Sequence, residues 1–192
     1  MKKPSLILGS FVFSLGLACA RPAVAAEMAG VTLPDTVTLA GQSRVLNGLG
    51  MRLATFFKVK VYVAGLYVSQ KSQDPAALLA DASSKLVRMS FVRDVDADTL
   101  REAFSDGFAK ACKGEECKTF QKAVDDFVKI QPAVVKGDTL DFELLPDALV
   151  VKKNAQELGK VATKGLSPII LRIWLGDNPP NPELKTGMLG LK

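Results

Sequence analysis

The chain has 192 residues, 25 of them basic and 20 acidic, for a net charge of +5, and it is 48% hydrophobic with no histidine at all. The absence of imidazole excludes Ser-His and Cys-His nucleophilic catalysis and the usual imidazole metal sites. The charges are interspersed rather than clustered, which argues against a nucleic-acid footprint.

At the amino terminus, Lys2 and Lys3 precede an apolar run from Leu6 to Ala18 and the small-residue series Ala23-Val24-Ala25. This is the three-part layout of a cleavable secretory signal, so residues 1–25 are expected to be a signal peptide and residues 26–192 one exported, periplasmic domain. The run is too short and too diluted by Gly9, Ser10, Ser14 and Gly16 for a comfortable bilayer span. A lipid-anchored alternative rests on Leu17-Ala18-Cys19, with Gly16 standing where such signals usually carry a branched apolar residue. Removal of the leader takes Lys2, Lys3 and Arg21, leaving 22 basic and 20 acidic residues and a net charge of +2. The basic character therefore belongs largely to the leader.

From Val31 to Val68 the chain reads as strands, punctuated by Pro34-Asp35, Gly41-Gln42 and Asn47-Gly48. Asn47-Gly48 predicts a hairpin turn, because both central positions of a type I′ turn need positive φ. The Gly48-x-Gly50 neighbourhood is not read as a phosphate loop, since strand rather than helix follows it. The run Phe57 to Ala64 alternates, placing Phe57, Val59, Val61 and Val63 on one face and Lys58, Lys60, Tyr62 and Ala64 on the other. Asp74-Pro75 predicts a short helix with Asp74 as its cap. Strand returns over Lys85 to Val92.

Asp96 to Cys112 has helical spacing, with Leu100, Ala103, Phe104, Gly107, Phe108 and Ala111 forming one apolar stripe. A second helix is predicted over Lys118 to Ile130, with Phe120, Val124 and Phe127 inward. Between the two helices, Cys112 and Cys117 flank a turn-forming stretch. In an oxidising compartment this even pair reads as a disulfide, with free thiols as the alternative. The spacing is not that of a redox CxxC, and two thiols do not make a metal site, so no metal and no cofactor are expected.

Strands follow near Thr139–Leu145, Ala148–Lys153 and Gly159–Ala162, then a helix opened by Ser167-Pro168 and stopped by Gly176, and a last helix opened by Asn181-Pro182. Strands, an inserted helix pair, more strands and closing helices predict an α+β domain with an antiparallel sheet.

The polar chemistry left to such a domain is cationic and phenolic, in Arg52, Lys58, Lys60, Tyr62 and Tyr67. If helices cover the second face of the central hairpin, an arginine and a tyrosine point into an apolar cleft. A guanidinium there needs a partner, and its planar fork suits a carboxylate. The plainer alternatives are that Arg52 pairs with a surface acid, that Lys58 and Lys60 are solvated, and that Tyr62 is a core tyrosine with a satisfied hydroxyl.

Leu46-Asn47-Gly48-Leu49-Gly50-Met51-Arg52 and Phe57 through Tyr67 resemble the signature of the chalcone isomerase-like family. Leu86 through Val95 and Ile173-Trp174-Leu175-Gly176-Asp177-Asn178-Pro179 are similar to its bacterial, exported branch. The resemblance implies an open-faced β-sandwich, a large antiparallel sheet covered on one face by a helical layer, with a ligand cleft between them. Family members include isomerases of the intramolecular lyase type, fatty-acid-binding proteins and relatives without catalysis, and fold alone does not choose among them. By this resemblance Arg52 matches the charge-stabilising arginine of the isomerases. Arg52 with Tyr62 is more similar to the arginine and tyrosine that hold a carboxylate in the fatty-acid-binding branch. The tyrosine and asparagine of the isomerase helix fall at Thr99 and Asp106, and Ser167 lies in the neighbourhood of the family's C-terminal hydroxyl.

The expectation is a periplasmic, non-catalytic binder of a small amphipathic anion such as a fatty acid, through Arg52 and Tyr62. An isomerase acting on an enone-like metabolite with Arg52 as its catalytic residue, and a cell-envelope protein that binds a partner, remain the alternatives.

Overall fold

A computed structural model describes residues 25–112 and 114–191, with nothing stated for the side chain of residue 116. The leader expected over residues 1–25, except Ala25, and the lipid-anchor position Cys19 lie outside the described residues.

Two strands, β1 (Ala25–Met28) and β2 (Val31–Pro34), form a small antiparallel hairpin of their own. The main sheet has seven antiparallel strands in sequential order: β3 (Thr36–Leu39), β4 (Gln42–Ala54), β5 (Val59–Val68), β6 (Lys85–Phe91), β7 (Thr139–Leu144), β8 (Leu149–Lys153) and β9 (Gln156–Val161). Helix α1 (Pro75–Ala80) lies between β5 and β6, and the inserted pair α2 (Ala97–Ala111) and α3 (Glu115–Ile130) between β6 and β7. Helices α4 (Leu166–Leu175) and α5 (Pro182–Met188) close the chain. The sequential order follows from short connections, since antiparallel neighbours need only a turn.

Local chemistry accounts for most boundaries. Asp74 caps α1 through Ala76 N–H at 2.9 Å, with Pro75 at the first helical position, and Asp96 caps α2 through Thr99 N–H at 2.8 Å. Asn154 and Ala155 both take positive φ and turn β8 into β9. The hairpin expected at Asn47-Gly48 is not a turn. Both residues lie inside β4, and the chain reverses instead at Thr55–Lys58, where Lys58 N–H donates to Thr55 O at 3.2 Å.

The two glycines serve close packing. Gly48 and Gly50 face α5, and a Cβ on Gly50 would sit 2.3 Å from Leu184 O and one on Gly48 2.3 Å from Gly187 O. Asn47 locks the same region: its amide donates to Ser72 O and Met188 O, and its carbonyl accepts from Ser72 N–H.

The even alternation expected along Phe57 to Ala64 also breaks. A bulge sits opposite the Arg52/Leu53 step, because Arg52 pairs with Tyr62 while Leu53 pairs with Lys60, leaving Val61 as the extra residue. Beyond it, Tyr62, Ala64, Leu66 and Val68 face the helical layer and Val63 and Tyr67 the reverse face. Strand also begins earlier than Val31, α3 begins at Glu115 rather than Lys118, and β9 begins at Gln156 rather than Gly159.

The main core lies between sheet and helices, with Phe104 of α2 as its aromatic hub. Its ring centroid lies 5.1 Å from that of Phe127, 5.3 Å from Phe142 and 6.0 Å from Trp174, all in edge-to-face arrangement. A smaller cluster on the reverse face joins Leu33, Leu39, Leu46, Val63, Tyr67 and Leu86 beneath the β1–β2 hairpin. The sheet is thus helix-covered on one face and only locally covered on the other. Beyond the hairpin, Arg88 meets Asp141 in a two-pronged pair at 2.7 and 2.6 Å.

Cys112, the C-cap of α2, and Cys117, in the first turn of α3, are joined in a disulfide. Closing so short a loop is worth about 2 kcal/mol in chain entropy. Mild reduction is therefore expected to lower unfolding stability by about that amount, read from denaturation midpoints with and without a thiol.

Candidate functional site

The cleft lies between the helix-facing side of β4–β6 and helices α2 and α4, with a volume of about 610 Å³. Its apolar wall is Val61 and Met89 from the sheet, Leu100, Ala103, Phe104 and Gly107 from α2, and Ile173 and Trp174 from α4. The first four α2 positions of the stripe legible in the sequence are this wall. Gly107 sets its width, since a Cβ there would come within 2.9 Å of Ile173 Cγ2.

Arg52 and Tyr62 are direct cross-strand partners and share the helix-facing side. Gly48 and Gly50, four and two residues earlier on the same face, let α5 lie down on β4 before Arg52 is reached. Its Nη1 donates to Leu53 O and, at 3.0 Å, to Pro180 O, so the guanidinium is tethered to the strap 178–181 that walls the cleft. The strap is itself pinned by Asn181, whose side chain accepts from Leu53 N–H and donates to Met51 O, each at 3.1 Å. Among the described residues, none of the ion pairs involves Arg52. The surface acid that the plainer reading offered it is not there.

Tyr62 is buried at 7% exposure and packs edge-on to Phe91 with ring centroids 5.6 Å apart. Trp174 Nε1–H donates to the Tyr62 hydroxyl oxygen at 3.4 Å. Indole only donates, so the phenol must be the acceptor, and its own proton has no acceptor among the described residues. Burial pushes the Tyr62 pKa above the ordinary value, against the Trp174 hydrogen bond and the Arg52 charge, which both pull it down. The phenol is therefore neutral and a donor at ordinary pH.

Thr99 and Asp106 also border the cleft. Thr99 Oγ1 is committed to the Asp96 carboxylate at 2.7 Å, and Asp106 is an exposed carboxylate. Ser167 is elsewhere. It lines a separate pocket of about 250 Å³ beside α1, and its hydroxyl donates to Leu145 O at 2.6 Å. Tyr67 lies on the reverse face, donating to Pro34 O at 2.9 Å, and burial raises its pKa to about 12. Lys58 and Lys60 are exposed at the hairpin end.

Sequence reasoning missed the phenol-holding role of Trp174 and the tether at Pro180 and Asn181. The signals present were the motif from Ile173 to Pro179, which marks the family without stating a role for Trp174, and Asn181-Pro182, which reads only as a helix start. Among the described residues no group of three or more His, Cys, Asp or Glu side chains is placed to hold a metal, and no helix is long and apolar enough to cross a membrane.

An antiparallel sheet covered on one face by helices, with a cleft between the two layers, defines a class of α+β domains. The chain belongs to the chalcone isomerase-like family, whose model matches residues 25–190. Among solved structures it is similar to a fatty-acid binding protein of Arabidopsis thaliana, with a TM-score of 0.66 and 16% identity over 87% of this chain and 95% of that one. At that identity the likeness concerns the fold. No curated protein matches the sequence.

Proposed function

We propose that the protein binds a small amphipathic carboxylate, such as a fatty acid, in the cleft, without catalysis. The observation that carries this reading is the pairing of Arg52, with no carboxylate partner among the described residues, and Tyr62, whose buried phenol has a proton to donate. Both lie on one face at the sheet side of a chamber whose wall is apolar at Val61, Met89, Leu100, Phe104, Ile173 and Trp174 and which is also bordered by the charged Arg93, Asp94, Asp96, Glu102, Asp106 and Lys110. A cation and a neutral donor side by side suit the two oxygens of a carboxylate, and the chamber suits an alkyl tail. Each methylene buried there contributes about 0.8 kcal/mol, so one polar anchor suffices for a long chain. The Arabidopsis relative in fold is named as a fatty-acid binding protein, which supports the same ligand class.

Cyclisation of an enone through Arg52 is the less supported reading. It needs hydroxyl or amide donors to polarise a ketone, and the α2 positions that could supply them hold Thr99, already bonded to Asp96, and Asp106, which has neither a hydroxyl nor an amide. An exported, periplasmic setting fits the leader pattern and the Cys112–Cys117 bridge.

Native mass spectrometry of the purified protein is expected to show a co-purifying lipid carboxylate. Saturated and unsaturated C12 to C18 fatty acids are expected to raise the melting temperature, the rise growing with the logarithm of ligand concentration above Kd. Finding no bound lipid and no thermal shift with any chain length would sink the reading. Turnover of an enone that disappears in Arg52→Ala would favour the isomerase.

A further inference from the structure

The tip of the β4–β5 hairpin carries Phe56 and Phe57, which are 95% and 84% exposed and touch each other edge-on with centroids 5.9 Å apart. Folding does not ask for them. The reversal holds Thr55 at φ 60° and Lys58 at φ 51°, left-handed conformations that favour glycine or asparagine, so turn chemistry would select polar or small residues throughout. Two large rings at the most solvated point of the chain are an apolar surface that the rest of the protein leaves uncovered.

The charges around the tip indicate what covers it. Lys58 and Lys60 flank the rings and are exposed. The two strands that lead to the tip, Gln42–Ala54 and Val59–Val68, carry no acidic residue. The footprint is also small: two phenylalanines offer roughly 300–500 Å², below the roughly 800 Å² per partner that a stable protein interface takes. A protruding turn with two rings at its end and lysines behind them matches shallow insertion into a bilayer, with the ammonium groups at the headgroups. Ala54, two residues before Phe56, lines the cleft, so a docked tip sets the cleft against the lipid.

We propose that this hairpin tip docks the protein on an anionic lipid surface, Phe56 and Phe57 entering the acyl region while Lys58 and Lys60 hold the headgroups. The choice of a lipid rather than another apolar partner rests on the carboxylate-binding reading, since an acyl ligand taken from or given to a membrane must cross at this end of the cleft.

The test uses the full chain bearing Phe57→Trp, with the parent chain measured in parallel to subtract the response of Trp174, which lines the cleft. Vesicles of phosphatidylcholine containing phosphatidylglycerol are expected to shift the emission of the introduced indole to the blue and to allow its quenching by brominated acyl chains, an effect that high salt abolishes. Adding Lys58→Gln and Lys60→Gln is expected to weaken the partition about 30-fold, from about a fivefold factor per lysine. An indole whose emission is unchanged by these vesicles, or that shifts equally with phosphatidylcholine alone and regardless of the lysines, overturns the proposal. Fatty-acid titration in vesicle-free buffer reads the cleft separately, so failure of docking and failure of ligand binding are told apart.

Discussion

Arg52→Ala is expected to weaken binding of a long-chain carboxylate by about 10- to 100-fold, since a hydrogen bond to a charged group is worth about 1.5–3 kcal/mol. The apolar side chains of the wall are unchanged, so a neutral alcohol of the same chain length should lose much less affinity for the variant than the carboxylate does. That contrast, measured by calorimetric or fluorescence titration, isolates the charge from the apolar contribution. Arg52→Lys should fall between, because an ammonium keeps the charge but loses the planar fork. Tyr62→Phe is expected to cost less, up to about tenfold, because a neutral donor contributes about 0.5–1.5 kcal/mol. Melting temperatures must accompany both series, as Arg52 also ties the strap through Leu53 O and Pro180 O. Equal affinity of parent and Arg52→Ala for a fatty acid would remove the guanidinium from the site.

The second large effect is on stability and falls on a residue that touches no ligand. In Gly50→Ala the new Cβ meets Leu184 O at 2.3 Å and Leu184 C and Cα at 2.9 Å, all backbone atoms of α5. No side-chain rotation relieves such contacts, so α5 must lift from β4. The expected loss is about 3 kcal/mol or more, at the upper end of overpacking costs, and a large share of the roughly 5–15 kcal/mol that holds a domain folded. Lifting α5 also drags Asn181 and Pro180 away from β4, so ligand affinity should fall with stability. Gly159→Ala is the control. Its Cβ would meet only the side chain of Ile130, at 2.9 Å from Cδ1, and that terminus can turn aside. A loss below about 1 kcal/mol is expected there. If denaturant midpoints of the two variants match, close packing of α5 is not what Gly50 is for.

These two predictions also mark where the glycines of β4 mislead a reader of sequence. Asn47-Gly48 is a strong local turn signal, but a turn and a close backbone approach both select glycine, and only the distant partner distinguishes them. Here the partner is α5, more than a hundred residues later in the chain. The bulge at Val61 is similar: strict alternation from Phe57 to Ala64 describes an ideal strand, and one inserted residue at the Arg52/Leu53 step changes which side chains share a face. The helices were legible because their signals are local, with Asp74 and Asp96 as caps, Pro75 at its first-turn position and Gly176 as a stop.

The sequence by itself determined the α+β class, the order of strands and inserted helices, and the apolar stripe of α2. Those follow from periodicity, capping and composition, which act within a few residues. Tertiary structure alone decided that Arg52 and Tyr62 face each other across one ladder, that Trp174 occupies the phenol oxygen and leaves its proton to give, that Ser167 belongs to another pocket, and that two phenylalanines end uncovered at a turn. Each depends on contacts between segments far apart in the chain, where packing rather than local preference sets the geometry.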